Sequence, residues 1–236
     1  MNTKEFSDSF DTYINSYSTI PSFGDTQGLD IKFDEYEKSV FLTQAQEDIV
    51  IELYSGRNQY SGSLESTEEL RRYLSGLINT VTLTEQSEGH IGLSGKSVFY
   101  DIPEKVWFIT YESAILGDDN LGCLNGITAN VVPVTQDEFY RIVRNPFRGA
   151  SETRVLRLDA GEKLVELVSE YNITGYTIRY LSQPSPIILI NLPDGLEING
   201  ISEITECELN PALHRAILER AVRLALMSKT PVSDSK

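Results

Sequence analysis

The hydrophobic period of this chain changes twice, and those two changes limit the folds open to it. Apolar residues recur every three or four positions up to about Ile78. From Val81 to Glu208 they recur at every second position, with many β-branched residues. From Pro211 the helical spacing returns. A helix buries a stripe of period 3.6 and a strand buries a face of period two, so the order reads helices, strands, helix. Helical patterns do not alternate with the strands, which argues against a parallel βαβ sheet. The fold class expected is α+β: N-terminal helices and a C-terminal helix packed together, with a central antiparallel β-rich region. The corresponding bounds are a helical region at 1–80 and 209–230, a β-rich region at 81–208 and a disordered tail at 231–236.

Local signals fill in this outline. Phe6, Phe10, Tyr13 and Tyr17 would line one face of a first helix, and Ile20-Pro21-Ser22-Phe23-Gly24 would stop it. In the segment Asp34–Tyr54 an apolar stripe is strong at both ends and polar in the middle, at Thr43 and Glu47. Gly56 suits the left-handed position that ends a helix. Ser66-Thr67-Glu68-Glu69 reads as a capping box for a third helix through Ile78, after a flexible linker at 55–65. Strands are expected at Val98–Tyr100 and Lys105–Ile115, and a short helix within Thr135–Val143. Asn125-Gly126 and Asn199-Gly200 are tight-hairpin signals, and Asp159–Glu162 and Pro193-Asp194-Gly195 join further strand pairs. Asn210 and Pro211 open the closing helix, in which Leu213, Ile217, Leu218, Ala221, Leu224 and Ala225 share a face.

Charge and cysteine content narrow the classes. The 236 residues carry a net charge of −15. Residues 1–90 hold 6 basic against 16 acidic side chains, a balance of −10. Gripping DNA requires Lys and Arg to neutralise phosphates, so this chain is not a DNA reader. No apolar run reaches the roughly 20 residues that cross a bilayer. The start, Met1-Asn2-Thr3-Lys4-Glu5, lacks the apolar core of a signal peptide, and the chain is expected to be soluble and unexported. Cys123 and Cys207 read as free thiols.

No complete catalytic motif is present, and no catalytic, cofactor-binding or metal-ligating residue is assigned. His90-Ile91-Gly92-Leu93-Ser94-Gly95-Lys96-Ser97 approaches a phosphate loop, but His90 stands where the motif needs glycine and the stretch leads into a strand. Gly117-Asp118-Asp119-Asn120-Leu121-Gly122 resembles a calcium loop, yet Cys123 and Ala129 occupy the positions that need glycine and glutamate. Arg141, Arg144, Arg148, Arg154 and Arg157 form one basic stretch against Asp137, Glu138 and Glu152. In an acidic protein such a stretch can complement an acidic patch on a neighbouring copy. It can also be a set of ordinary surface ion pairs.

Several ordered pieces carry a likeness. They are Asp34-Glu35-Tyr36-Glu37-Lys38-Ser39-Val40-Phe41-Leu42-Thr43-Gln44-Ala45-Gln46-Glu47, Pro133-Val134 with Asp137-Glu138-Phe139, and Asn145-Pro146-Phe147. Tyr180 with Pro184 and Pro186, and Leu209-Asn210-Pro211-Ala212-Leu213-His214, complete the set. Together the chain resembles the head-to-tail connector (adaptor or neck ring) proteins of tailed bacteriophages, most of all the ring proteins of crAss-like phages. That resemblance implies a non-enzymatic virion protein of the neck, assembled in the host cytoplasm, without cofactor and without a membrane. It implies a homo-oligomeric, dodecameric ring that contacts the portal protein and other neck ring or tail proteins and extends the DNA channel. DNA would pass without specific binding, because an acidic wall repels the polyanion. The residues expected at an oligomer or partner interface are Arg141, Arg144, Asn145, Pro146, Phe147, Arg148 and His214. The rival classes are a phage-associated polysaccharide hydrolase, disfavoured by a single Trp, and a monomeric binding module.

Overall fold

The computed structural model describes residues 1–18, 32–57, 68–86, 90–161, 163–193 and 195–229. Its helices are α1 (Thr3–Ser18), α2 (Glu35–Ser55), α3 (Glu68–Leu74), α4 (Phe139–Val143) and α5 (His214–Lys229). Its strands are β1 (Ile78–Leu83), β2 (Glu85–Gln86), β3 (Ser97–Asp101), β4 (Val106–Leu116), β5 (Thr128–Pro133), β6 (Arg154–Asp159), β7 (Leu164–Val168) and β8 (Ile173–Ser182). The chain divides into two compact units, one of Met1–Leu77 with Gln183–Lys236 and one of Ile78–Ser182. The architecture is α+β, as the periodicity predicts. The expected stop at Ile20–Gly24, the first half of the Ser66–Glu69 capping box, most of the 55–65 linker and the 231–236 tail lie outside the described residues.

In the helical unit, α1 buries Phe6, Phe10 and Ile14, a run of i, i+4 steps. Tyr13 and Tyr17 flank that stripe, with ring centroids 6.4 Å apart and tilted to each other, instead of entering the core. Helix α2 starts at Asp34, whose carboxylate accepts from Glu37 N at 2.7 Å while Glu37 Oε2 accepts from Asp34 N at 3.2 Å. This is a reciprocal cap. The helix ends at Gly56 with φ 76°, a left-handed position open to glycine. Helix α5 packs against both α1 and α2.

The polar middle of α2 has a purpose that its spacing hides. Ser39, Thr43 and Gln46 are all buried. Ser39 Oγ accepts from Leu189 N at 3.0 Å, Thr43 Oγ1 accepts from Ile187 N at 3.0 Å, and Gln46 Nε2 donates to Ser185 O at 2.8 Å. These residues hold an extended segment that has no neighbouring strand. Residues 183–208, expected within the β-rich region, thus belong with the helices. They form isolated bridges, Ile188 to Thr205 and Ile198 to Ile201, and no regular ladder among the described residues. Asn199 and Gly200 do make the expected tight turn, both with positive φ (51° and 77°).

The second unit is one sheet in the order β1-β8-β4-β5-β6-β7-β3-β2. Its two outermost strands, β1 and β2, are consecutive pieces of chain separated only by Thr84. The sheet therefore curls until its edges meet along one stretch of backbone, which removes the free edges an open sheet would offer. The pairing departs from wholly antiparallel at one place, where β5 and β6 run parallel. The chain between them crosses over through α4 instead of turning back in a hairpin. Asn125-Gly126 also differs from the sequence reading: Asn125 has φ −58° and Gly126 φ 85°, the signature of a type II turn. That turn follows a helical turn at Asp119–Leu124, so the β4–β5 connection is longer than a tight hairpin.

The inward face of the sheet buries Ala114, Leu116, Ala129, Val155, Leu167, Tyr176 and Ile178, each 0 % exposed. Outside it, Phe139 of α4 packs on Leu156, Leu158 and Val168. Among the inward residues sits one charged group set. Glu112 Oε1 accepts from Tyr176 Oη at 2.7 Å and from Arg157 Nη1 at 2.6 Å, and Arg157 Nη2 lies 3.3 Å from Asp159. Burial opposes the guanidinium charge, but Glu112 and then Asp159 outweigh it, and the Arg157 pKa is raised. Burial, followed by the Glu112 carboxylate, pushes the Tyr176 phenol up as well.

Two outcomes follow from this packing. Glu112→Leu should strand Arg157 and cost about 3–5 kcal/mol in denaturant unfolding, whereas adding Arg157→Met should recover most of that loss. A double variant as weak as the single one would show that the pair's own geometry, and not an orphaned charge, sets the cost. In the helical unit, His214 is buried, with Nδ1 accepting from the Met1 amino group at 2.7 Å and Nε2 donating to Leu209 O at 3.1 Å. Burial lowers its pKa below 6.5, with the Leu209 bond opposing and the Met1 charge assisting. Below pH 6.5 the unfolded chain takes up a proton that the folded histidine resists, so stability falls as pH drops. The protection factors of α5 amides, taken against the intrinsic exchange rate at each pH, should therefore fall between pH 7 and about pH 5.5, and His214→Gln should flatten that change.

Candidate functional site

The predicted contact residues fall largely on one built feature, α4 and the turn that follows it. Asn145 organises the turn. Its Oδ1 accepts from Phe147 N at 2.9 Å, and its carbonyl accepts from Arg148 N at 3.0 Å and from Gly149 N at 2.8 Å. Pro146 fixes the backbone at the position where proline favours a turn. A Cβ on Gly149 would lie 3.2 Å from the carbonyls of Asn145 and Val143, so the backbone closes tightly there. Arg154 Nη1 donates to Phe147 O at 2.6 Å and pins the turn to β6. These bonds hold Phe147 outward, at 86 % exposed. Tyr140 and Val143 are exposed beside it on α4.

The five arginines of the basic stretch separate into three roles. Arg141, Arg144 and Arg148 are exposed. Arg141 reaches back to Glu138, whereas Arg144 and Arg148 make no ion pair among the described residues. Arg154 holds the turn, and Arg157 is turned into the sheet against Glu112. The outward charge is thus narrower than the sequence count implies. His214 does not join this surface. It is buried in the helical unit against Phe6, with ring centroids 5.3 Å apart, and its two nitrogens are engaged as described.

The near-miss motifs have structural uses. In the glycine-rich stretch before β3, Leu93 N donates to Glu166 Oε1 at 2.7 Å and the Ser97 hydroxyl donates to the same carboxylate. The loop is closed on the protein's own anion. Asp118 caps the helical turn after it, accepting from Asn120 N at 2.9 Å and from Asn172 N at 3.4 Å. Its carboxyl is held below the usual range, first by the Asn120 amide. Both cysteines are free thiols. Cys207 donates to Gln46 Oε1 at 3.1 Å, and burial pushes its pKa up to about 11. Sequence reasoning missed the apolar part of the surface, Tyr140 and Val143. The available signal was their spacing of three on α4.

This arrangement supplies a rigid, exposed aromatic turn flanked by cations, which suits contact with another macromolecule. Comparison with known proteins agrees with that character. The family described as phage tail ring protein 3/4 matches residues 1–236. The chain is 56 % identical to ring protein 3 of Bacteroides phage crAss001 over 237 residues, covering 100 % of both chains. It is 32 % identical to ring protein 4/5 of the same phage over 241 residues, covering 95 % of this chain and 92 % of that one. The chain therefore belongs to the phage tail ring protein 3/4 family, the structural ring proteins of crAss-like phages.

Proposed function

We propose that this protein forms a dodecameric ring in the virion neck, between portal and tail, and that the ring extends the DNA channel and joins head to tail. The observation that carries this reading is the full-length likeness to a protein named ring protein 3. The charge supports it. A net −15 on one subunit is multiplied around a ring, and a wall of that sign repels the DNA phosphates instead of binding them. DNA then passes without specific contacts, and the protein works through assembly and not through catalysis. The partners are further copies of the chain, the portal protein and other neck ring or tail proteins. Subunits fold in the host cytoplasm and are built into the virion there. Among the described residues no helix is long and apolar enough to cross a membrane.

Closing a ring takes a heterologous contact, in which one patch of each copy meets a different patch of the next. We assign the Arg141–Arg148 turn to one side of that contact. Exposed Arg144 and Arg148 then face acidic groups of the neighbour. Truncating one partner of a buried, paired charge costs about 2–5 kcal/mol. Arg144→Glu should thus weaken assembly at least tenfold by native mass spectrometry and electron microscopy, with an unchanged circular-dichroism spectrum. Wild-type chain, alone or with the other neck proteins, should give closed rings. Persistent monomers in both settings would overturn the ring reading, and normal rings from the reversed variant would remove Arg144 from the contact.

A further inference from the structure

The curled sheet is split at one end. Strand β4 pairs with β8 from Val106 to Leu116, but with β5 only at Ser113–Ile115. Beyond that point β5 turns to β6, which it follows from Asn130 to Pro133. The two strands diverge around a groove of about 530 Å³, within the usual range for binding clefts. Trp107, Ile109 and Tyr111 form one wall and Val131, Pro133 and Arg157 the other. Tyr111 is 49 % exposed at the rim. Two bulges in β4, at Val106/Phe108 and Ile109/Tyr111, shift the register and re-aim the wall's side chains. Pro133 has no N–H to offer a ladder, so the protein's own strands do not close the gap.

One groove wall holds an unmet need. Arg157 Nε is buried and has no hydrogen-bond partner among the described residues, although both its terminal nitrogens are paired. A buried donor left without an acceptor is costly, and such groups in native structures call for an explanation. An acceptor delivered from outside would satisfy it.

The same unit carries a feature of complementary form. The turn Asn145–Arg148 displays Phe147 on a backbone that four hydrogen bonds already fix, so little ordering is needed on contact. It brings main-chain carbonyls with it, and the exposed cations Arg144 and Arg148. Asp159, 73 % exposed, carries the opposite charge 3.3 Å from the groove residue Arg157. Helix α4 covers Leu156 of β6, whereas the groove is lined by Val131 and Arg157 together with β4. Two distinct, complementary surfaces on one unit are what a heterologous contact requires.

We propose that the Asn145–Arg148 turn of one copy inserts Phe147 into the β4–β5 groove of the next copy, and that this repeated contact closes the ring. The inference rests on the ring reading above and names both halves of its interface.

The test uses the full chain and two single variants. Phe147→Ser removes the inserted ring from an exposed position and should leave the fold intact. Asn130→Trp fills the groove from an exposed strand position; Tyr111→Ser, which strips its rim, serves as a second groove variant if Asn130→Trp fails to fold. Each variant alone should assemble at least tenfold more weakly than wild type under conditions that give wild-type rings. Mixed, Phe147→Ser keeps a groove and Asn130→Trp keeps a turn, so the pair should form a discrete 1:1 dimer that cannot close. Wild-type rings from either variant alone would overturn the inference and leave the ring reading standing. So would variants that stay monomeric when mixed while wild type assembles. Wild-type chain that never assembles, with or without the other neck proteins, would end both.

Discussion

The helical unit depends on three side chains of α2 that take the place of a neighbouring strand. An extended backbone inside a core must find partners for every N–H and C=O, or lose the free energy of their hydration. Ser39, Thr43 and Gln46 supply those partners to Leu189, Ile187 and Ser185. They stand at successive turns of one helix face, so the segment lies along the helix with its amides already matched. Ile188, between the two bonded amides, is left to pack with Leu192 and Ile198 against Tyr36 and Val40. The seam thus positions the apolar side chains of a stretch that has almost no ladder of its own.

Among the described residues each unit holds one cation largely withdrawn from solvent, and the two are built differently. Lys38, 4 % exposed, reaches Asp11 at 2.8 Å, Glu35 at 2.9 Å and the Ser7 hydroxyl at 3.1 Å, so all three of its donors are met. Burial opposes its charge, the bonds to Asp11 and Glu35 outweigh that, and its pKa is raised. The result ties α1 to α2. Arg157 has a strong partner in Glu112 but keeps one donor unmet. A fully satisfied buried charge reads as a structural tie, while a partly satisfied one beside a groove reads as half of a contact.

Much of this was legible in the sequence where the signal is local. Spacing alone located α1, α2 and α5, and the β3 and β4 strands were within a residue of their bounds. The Asn145-Pro146-Phe147 piece marked the turn that now carries the exposed ring. What escaped was non-local. Thr43 read as an interruption of an apolar stripe, because its partner Ile187 lies far along the chain and leaves no period near it. Arg157 read as part of a basic surface, although its alternation with Val155 in β6 would have placed both on the inner face. The parallel β5–β6 pairing leaves no mark on either strand's own residues. His214 looked like a contact residue because a helix's first turn is often exposed; the aromatic Phe6 that covers it comes from the other end of the chain.

The order of the strands has a consequence for when this chain can fold. Strand β1 pairs with β8, so the curl cannot shut until the residues up to Ser182 have been made. Helix α1 packs on α5, which is made later still. A chain emerging from a ribosome usually completes its first domain before its second is made, but here the first helices must wait for the last one. Contacts between such distant residues also make folding slow. Nothing short of a nearly finished chain can present a settled helical core, and partly made subunits are thereby kept out of any assembly that requires one.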